Sequence, residues 1–531
     1  MKKKILAGFA VILLAFLYYY IELPAINIHE SGFWFFLIAV VLVILAIYAI
    51  RKRFHIHGIQ DVRSDKILKT GGAVILVILI VYGIGSLLSS PIINANQYQK
   101  LVTPEERDFT TDIKEISFNQ IPLLDKDSAV LLGNRKMGSM VDMVSQFEVS
   151  DIYSQINYQG QPYRVTPLVY ANGIKWLTNQ KNGIPAYIRI DMATQNTELV
   201  KLEQGIRYSE SEFFNRNIYR HLRFRYPTYM FDQLSFEIND EGVPYWICPV
   251  KKFNIGLFGG QTIGKVVLCN AITGETEEYK IADCPQWVDR AYPADLLIQL
   301  YNYHGTLKNG FFNSILGQKG CLKTTEGYNY LALDDDVWVY TGITSVSGDR
   351  SNVGFVLMNQ RTMETRYYSC AGAEEYSAME SAEGQVQNLQ YTAAFPLLMN
   401  ISNEPTYFMA LKDGAGLVKK YAMVNIQKYQ NVAIGDTVAE CEKAYVKLLA
   451  ANGISSGENN SVSETVTGTI QRMAQAVIDG NSHFYVVLEN EDQIFDIPVV
   501  EYPEIVAYEE GDSIIITYTE GTPICSVLAL E

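Results

Sequence analysis

The sequence predicts an α+β membrane protein. It reads as an N-terminal three-helix transmembrane anchor, then tandem units of one helix plus an antiparallel meander, then a small C-terminal β-barrel of OB or SH3-like type. Three observations carry this reading. Three apolar runs fall within the first 90 residues. A polar hairpin pattern occurs three times downstream. Five short strand-like runs follow a polar linker near the C-terminus.

The apolar runs are Ile5 to Tyr20, Phe33 to Ile50 and Gly72 to Leu88. Each is near the length a helix needs to cross a hydrocarbon core, ~17–25 residues. None contains Asp, Glu, Lys, Arg or His. Intramembrane ionisable groups mark ion and proton pathways, so this composition favours an anchor over a pump or channel. The connection from Ile21 to Gly32 has no Lys or Arg, whereas Arg51 to Gly71 has six. The positive-inside rule therefore places the N-terminus and the second connection in the cytoplasm, and everything after about residue 90 outside. Tyr18 to Tyr20 and Phe33 to Phe36 bracket the outer boundary, where aromatic rings prefer to sit. The rival reading makes residues 1–25 a cleaved signal peptide. His55 and His57 lie in a basic segment and read as part of an interfacial cluster.

Charge divides the chain in the same way. The total is −15; residues 1–90 hold nine Lys and Arg against four Asp and Glu, leaving −20 for the remainder. Such an acidic exported region disfavours nucleic acid, whose phosphates demand cationic contacts. All seven cysteines lie after residue 90, with no C-x-x-C pair. They are expected to be buried thiols or to form one or two disulfides.

Residues 91–125 are weakly patterned and read as a tether. The first unit, 126–205, opens with a helix from Ser128 to about Ser145. Strands follow near 148–157, 163–170 and 186–191, with Gln159-Gly160-Gln161 as a hairpin turn. It closes on Asp191-Met-Ala-Thr194-Gln-Asn-Thr197 and a last strand near 198–202.

The second unit, 206–290, shows a capping-box pattern at Ser209-x-x-Glu212, predicting a helix to about Phe224. Its strands are expected near 234–238, 245–250 and 265–269, then Asn270, Thr273 and Thr276 repeat the hairpin. The third unit, 291–370, starts its helix at Pro293 and ends it by Gly305, and repeats the hairpin with Asn359, Thr362 and Thr365. A fourth unit, 371–430, has a short helix and three strands but no such signature.

The pattern spaces Thr three and six positions after Asp or Asn. Asp and Asn start turns and Thr favours strands, so geometry explains it better than catalysis. The segment 431–451 then carries a helix from about Thr437 to Ala451, 452–464 is a polar linker, and the five strand-like runs fall within 465–531.

The stretch F-E-I-N-D-E-G-V-P-Y-W, followed by G-K-V-V-L-C-N-A-I-T-G-E-T, resembles PepSY-type modules. Those pair a helix with an antiparallel sheet and close on a D-x-x-T-G hairpin. Asn270 and Asn359 replace the usual Asp, and of the three copies only the second keeps the glycine, at Gly274. The resemblance covers roughly residues 128–430 and implies an extracytoplasmic binding or inhibitory module, with no catalytic residues.

Chemistry-bearing constellations are sparse. Gly453-x-Ser455-x-Gly457 matches a hydrolase elbow in form, but lies in a polar linker rather than on a strand-to-helix turn. His221, His304 and His483 are far apart in sequence, and Asp334-Asp335-Asp336 reads as a solvated turn rather than a calcium loop. No catalytic, cofactor or metal residue is assigned. Two clusters remain. Arg216, Arg220, His221, Arg223 and Arg225 form a concentrated basic patch for an anionic ligand or acidic partner, or for acidic neighbours within the protein. Asp283, Trp287, Asp289 and Arg290 form a dense loop between units, fit either for acid–base work or for pinning the loop.

The expected role is therefore a multi-pass plasma-membrane protein contacting the bilayer through three spans. Its exported units would present a binding surface to an envelope protein, a peptide or a wall polymer. A hydrolase assembled between units is the alternative.

Overall fold

Helices packed between successive sheets organise the region that follows the N-terminal apolar helices. The computed structural model describes residues 2–52, 65–113, 122, 124–333, 335–346, 351–452, 463–478, 481–489, 491, 493–499, 502–519 and 524–530. The basic connection with His55 and His57, Asp334, and the Gly453–Gly457 motif lie outside these residues.

Helices α1 (Lys2–Glu22), α2 (Ser31–Lys52) and α3 (Lys66–Leu88) come first. Ser31–Ile50 and Lys66–Leu88 are long and apolar enough to cross a membrane; α1 has a shorter apolar stretch, Gly8–Glu22. Asp65 caps α3 by accepting from the amides of Ile67 and Leu68. The expected tether is structured over residues 91–113. It forms helix α4 (Pro91–Gln99), strand β1 (Glu105–Arg107) and a single turn, Phe109–Asp112.

The first unit comprises α5 (Lys126–Gly138), β2 (Phe147–Val149), β3 (Ser154–Tyr158), β4 (Gln161–Tyr170), helix α6 (Gly173–Asn179), β5 (Ile184–Asp191) and β6 (Thr197–Ile206). The expected Gln159-Gly160 turn forms, with both residues at positive φ. Asp125, not Ser128, caps α5.

The second unit has α7 (Ile218–Arg225), β7 (Ser235–Ile238), β8 (Pro244–Ile255), β9 (Gly259–Asn270) and β10 (Thr276–Lys280). The helix expected from Ser209 begins only at Ile218, capped by the Asn217 side chain. The physical reason lies in Glu212, which bonds Tyr170 and Trp176 of the first unit instead of closing a capping box. The third unit has α8 (Ala294–Thr306), β11 (Leu322–Thr324), β12 (Asn329–Leu333), β13 (Asp336–Ser345), β14 (Ser351–Asn359) and β15 (Thr365–Ala373). The fourth has α9 (Glu375–Gln385), β16 (Thr392–Ala393), β17 (Leu397–Ile401), β18 (Glu404–Lys412), β19 (Val418–Asn425) and β20 (Val432–Gly435). Helix α10 (Val438–Ala451) follows, with a complete capping box between Thr437 and Glu440.

Each sheet is an antiparallel meander, and β1 adds to the third in parallel beside β15. The three signature hairpins are one turn built three times. Asp191, Asn270 and Asn359 each accept two amide hydrogens, at positions two and three ahead. The first threonine of each copy then accepts an amide two residues on. The residue after that threonine has positive φ: Gln195, Gly274 and Met363. An amide side chain and a carboxylate both offer the needed oxygen, so Asp and Asn interchange. In the fourth unit Asn425 ends β19 and accepts from the Lys428 amide, and its own amide donates to the Asn431 carbonyl across a longer loop.

Sheets two to four are apolar on both faces. In β8, Trp246 and Cys248 pack towards the first unit, while Ile247 packs towards α8. In β13, Trp338 and Tyr340 face the fourth unit, while Val339 and Ile343 face α8. In β18, Tyr407 and Met409 face the third unit, while Phe408 lies under α10. The strand period of two thus feeds two different cores. Stacking buries both faces, which is why these strands read as continuous apolar runs.

The C-terminal strands are β21 (Ser463–Ile478), β22 (Asn481–Leu488), β23 (Ile494–Pro498), β24 (Ser513–Thr519) and β25 (Ile524–Leu530). They close a barrel in the order β21-β22-β23-β25-β24, with β23 and β25 parallel. Lys443 of α10 reaches the Tyr502 hydroxyl of the barrel at 2.5 Å.

Candidate functional site

The four units converge on one cleft of about 310 Å³. The first unit contributes Tyr153, Gln155 and Arg164, the second Gln233, the connection between second and third Arg290, the third Tyr328 and Tyr330, and the fourth Phe395. Strand alternation aims Gln155 and Arg164 the same way, because they face each other across β3 and β4. Arg164 is buried and donates to the Leu124 carbonyl at 3.3 Å and the Gln155 amide oxygen at 3.4 Å. Burial pushes its pKa below the ordinary arginine value. Arg290 donates to Gln233 at 2.9 Å. Among the described residues, Arg290 Nε, Gln155 Nε2 and the Tyr153 hydroxyl are buried without a hydrogen-bond partner.

The charge of the lining is positive in an acidic chain. Lys126, Arg164 and Arg290 stand against Asp125 and Asp295. Asp125 is already engaged: Lys412 of the fourth unit and the Ser128 amide both bond it. Burial opposes its charge, but these donors prevail and hold its pKa below the usual carboxylate value. Asn329 donates to the Phe395 carbonyl at 3.0 Å, tying third unit to fourth at the cleft wall.

Behind Arg290 lies a buried carboxylate pair. Glu237 of β7 accepts from the amides of Asp289 and Arg290 at 2.9 and 3.1 Å, and from the Ser235 hydroxyl. Asp289 accepts from the Asn157 amide at 2.7 Å, joining the first unit to the connection. Both side chains are sealed from solvent. Burial pushes Glu237 up to about 7, and burial together with the Glu237 charge raises Asp289 far above an ordinary aspartate.

The loop Asp283, Trp287, Asp289 and Arg290 therefore separates into different environments. Asp283 is exposed on a short turn. Trp287 packs against Tyr245 at 5.1 Å. Of the loop's two aspartates, Asp289 joins a second buried carboxylate, and that partner, Glu237, went unselected in the sequence. Its signal was an acidic residue in the apolar strand S-F-E-I. Asp336 is held by Arg361 at 2.6 and 2.8 Å and by Asn359, and Asp335 accepts from Asn157, so this turn also serves the junction.

Two arginines of the basic cluster face the end of α1. Arg223 donates to the Leu23 carbonyl at 2.8 Å and to Tyr229, while Arg220 donates to the Tyr20 carbonyl at 3.4 Å and lies 4.3 Å from the Tyr20 ring centre. Arg216 donates to the Gln180 carbonyl at 2.7 Å. The His221 ring bonds the Gly274 carbonyl and packs on Tyr208; burial lowers its pKa. Arg225 is exposed. Cations at a helix C-terminus match its orphan carbonyls and dipole, which explains arginines at the end of α1.

The second unit also grips α3. Its β8–β9 tip donates the amides of Leu257 and Phe258 to the Ser89 hydroxyl, at 2.8 and 3.1 Å. Gly256 has φ of +59°, and a Cβ there would lie 2.4 Å from Ser89 Oγ, so glycine permits this approach.

His304 bonds Gln99, and His483 bonds Asp496 at 2.8 Å within the barrel. Among the described residues, no group of three His, Cys, Asp or Glu is arranged to hold a metal. Cys248, Cys269, Cys284, Cys321, Cys370 and Cys441 are buried thiols outside any disulfide. The chain matches no protein-family model and no curated protein sequence.

Proposed function

We propose that this is a membrane-anchored extracytoplasmic binding protein whose PepSY-like units receive an anionic chain, an acidic peptide or wall polymer, in the central cleft. The single observation that carries the reading is the convergence of four units on a cleft lined by Arg164 and Arg290. A buried guanidinium is stabilised by an incoming carboxylate or phosphate, which matches its planar donors. The three apolar helices act as the anchor, with the N-terminus cytoplasmic and the units outside. Arginine and hairpin contacts to the outer ends of α1 and α3 support that orientation. The recurrent Asx hairpin supports the PepSY-like reading, and the closed five-stranded order with one parallel pair supports an OB-like barrel.

The alternative hydrolase would use the Glu237–Asp289 pair. Both carboxyl groups are sealed by backbone amides, an arrangement suited to joining units rather than to meeting a substrate. Photo-crosslinking tests the proposal. A photoreactive residue at Tyr330 should give adducts in native membranes that one at exposed Val506 does not; identical adducts from both positions refute it.

A further inference from the structure

Two exposed apolar pads flank the anchor, and we infer that both are seated in the outer leaflet of the bilayer. This rests on the anchored reading above.

The first pad belongs to the first and second units. Helix α6 exposes Ile174 and Leu177, and the adjacent turn exposes Phe213 and Phe214, the last at 65%. These side chains form a built surface. The Trp176 ring lies 4.6 Å from Phe213, and its indole N–H donates to buried Glu212 at 2.7 Å. Phe214 has φ of +50°, a conformation an aromatic residue rarely adopts. The fold thus holds an aromatic ring outward in a strained backbone.

Its depth follows from Arg220. One guanidinium bonds the Phe214 carbonyl at 2.9 Å and the Tyr20 carbonyl at 3.4 Å. Phe214 therefore sits level with the outer end of α1. Phe224 reaches further, meeting Tyr19 at 5.7 Å and Phe16 at 6.5 Å. Residues 16 and 20 are about one turn, roughly 6 Å, apart along the axis.

The second pad lies by α3. Helix α4 follows α3 directly, and the Tyr98 hydroxyl bonds the Ser89 carbonyl at 2.7 Å. Phe311 packs on that cluster, and beyond it Phe312, Ile315 and Leu316 are exposed, Leu316 at 82%. Contiguous apolar surface of this kind marks an interaction site. Aromatic and aliphatic side chains at the end of a span meet the headgroup and upper acyl region. Continuity with both spans selects the bilayer over a soluble partner.

Spin labels in the full chain test this, in phosphatidylethanolamine–phosphatidylglycerol vesicles. Labels go at Phe214→Cys, Leu316→Cys, Ile12→Cys within α1, and Val506→Cys on the barrel, with unsubstituted protein as background. All four positions are exposed in the fold, so the label needs no repacking. Collisions with oxygen and with an aqueous nickel chelate report depth. The inference expects labels at 214 and 316 to favour oxygen several-fold more than the label at 506. Water-like values at 214 and 316, with hydrocarbon values at 12, overturn it and leave the anchor standing. Labels at 214 and 316 shielded from both reagents would mean that protein covers the pads, and overturn it too. A water-like label at 12 removes the anchor and the inference together.

Discussion

The buried carboxylate pair gives the sharpest stability prediction. Unfolded, Glu237 titrates near 4.5; folded, it is pushed up to about 7 by burial. Between those values the native protein keeps a proton that the unfolded chain has lost. Stability therefore falls as pH rises through this window, by roughly 3 kcal/mol for the full difference. Asp289→Asn removes the second carboxyl group, which burial and the Glu237 charge also hold protonated beyond the range of an unfolded aspartate. Its amide oxygen still accepts from Asn157, and its N–H₂ supplies a donor to the pair. The variant should show a flatter profile than the wild type between pH 5 and 8. Pulse proteolysis of the full chain in micelles, across that range, measures the difference. Parallel profiles for the two proteins refute the reasoning, because they would mean that Asp289 holds no extra proton in the folded state.

Other predictions follow from packing and hydrogen bonds. Asn270→Asp should be near neutral, as Asp191 already serves the same turn, whereas Asn270→Ala should cost about 1–3 kcal/mol in denaturant unfolding by orphaning two amides. Trp246→Ala empties a fully buried site and should cost about 3–5 kcal/mol. Arg361→Ala leaves Asp336 buried without its cation, and a loss of about 3–5 kcal/mol is expected. Cys248, Cys269, Cys284, Cys321, Cys370 and Cys441 should resist alkylation at pH 8 in the native protein and react on unfolding, as located by mass spectrometry; burial pushes Cys269 and Cys284 up to about 12.

Local signals made much of the fold legible. Strand periodicity and turn chemistry located the meanders, and Thr437-x-x-Glu440 forms the capping box its spacing encodes. The same spacing misleads at Ser209-x-x-Glu212, because Glu212 finds tertiary partners in Tyr170 and Trp176. A cap competes with such partners, and sequence shows only the local half of that competition. The burial of both sheet faces was missed: apolar runs such as T-Y-F-M-A-L are present, yet a run alone does not say what covers the second face. The cleft was the least legible part. Arg164 and Arg290 are 126 positions apart and become neighbours only through stacking. The arginine cluster was visible as charge, but the carbonyls of Tyr20 and Leu23 that it meets at the end of α1 lie some 200 residues earlier.

The most direct test of the account is equilibrium binding of a fluorescent oligoglutamate and a polyphosphate to the full chain in nanodiscs. The account predicts salt-sensitive binding of both, weakened about tenfold or more by Arg290→Gln. Equal binding by wild type and variant, or equal binding of an uncharged oligomer, would contradict it.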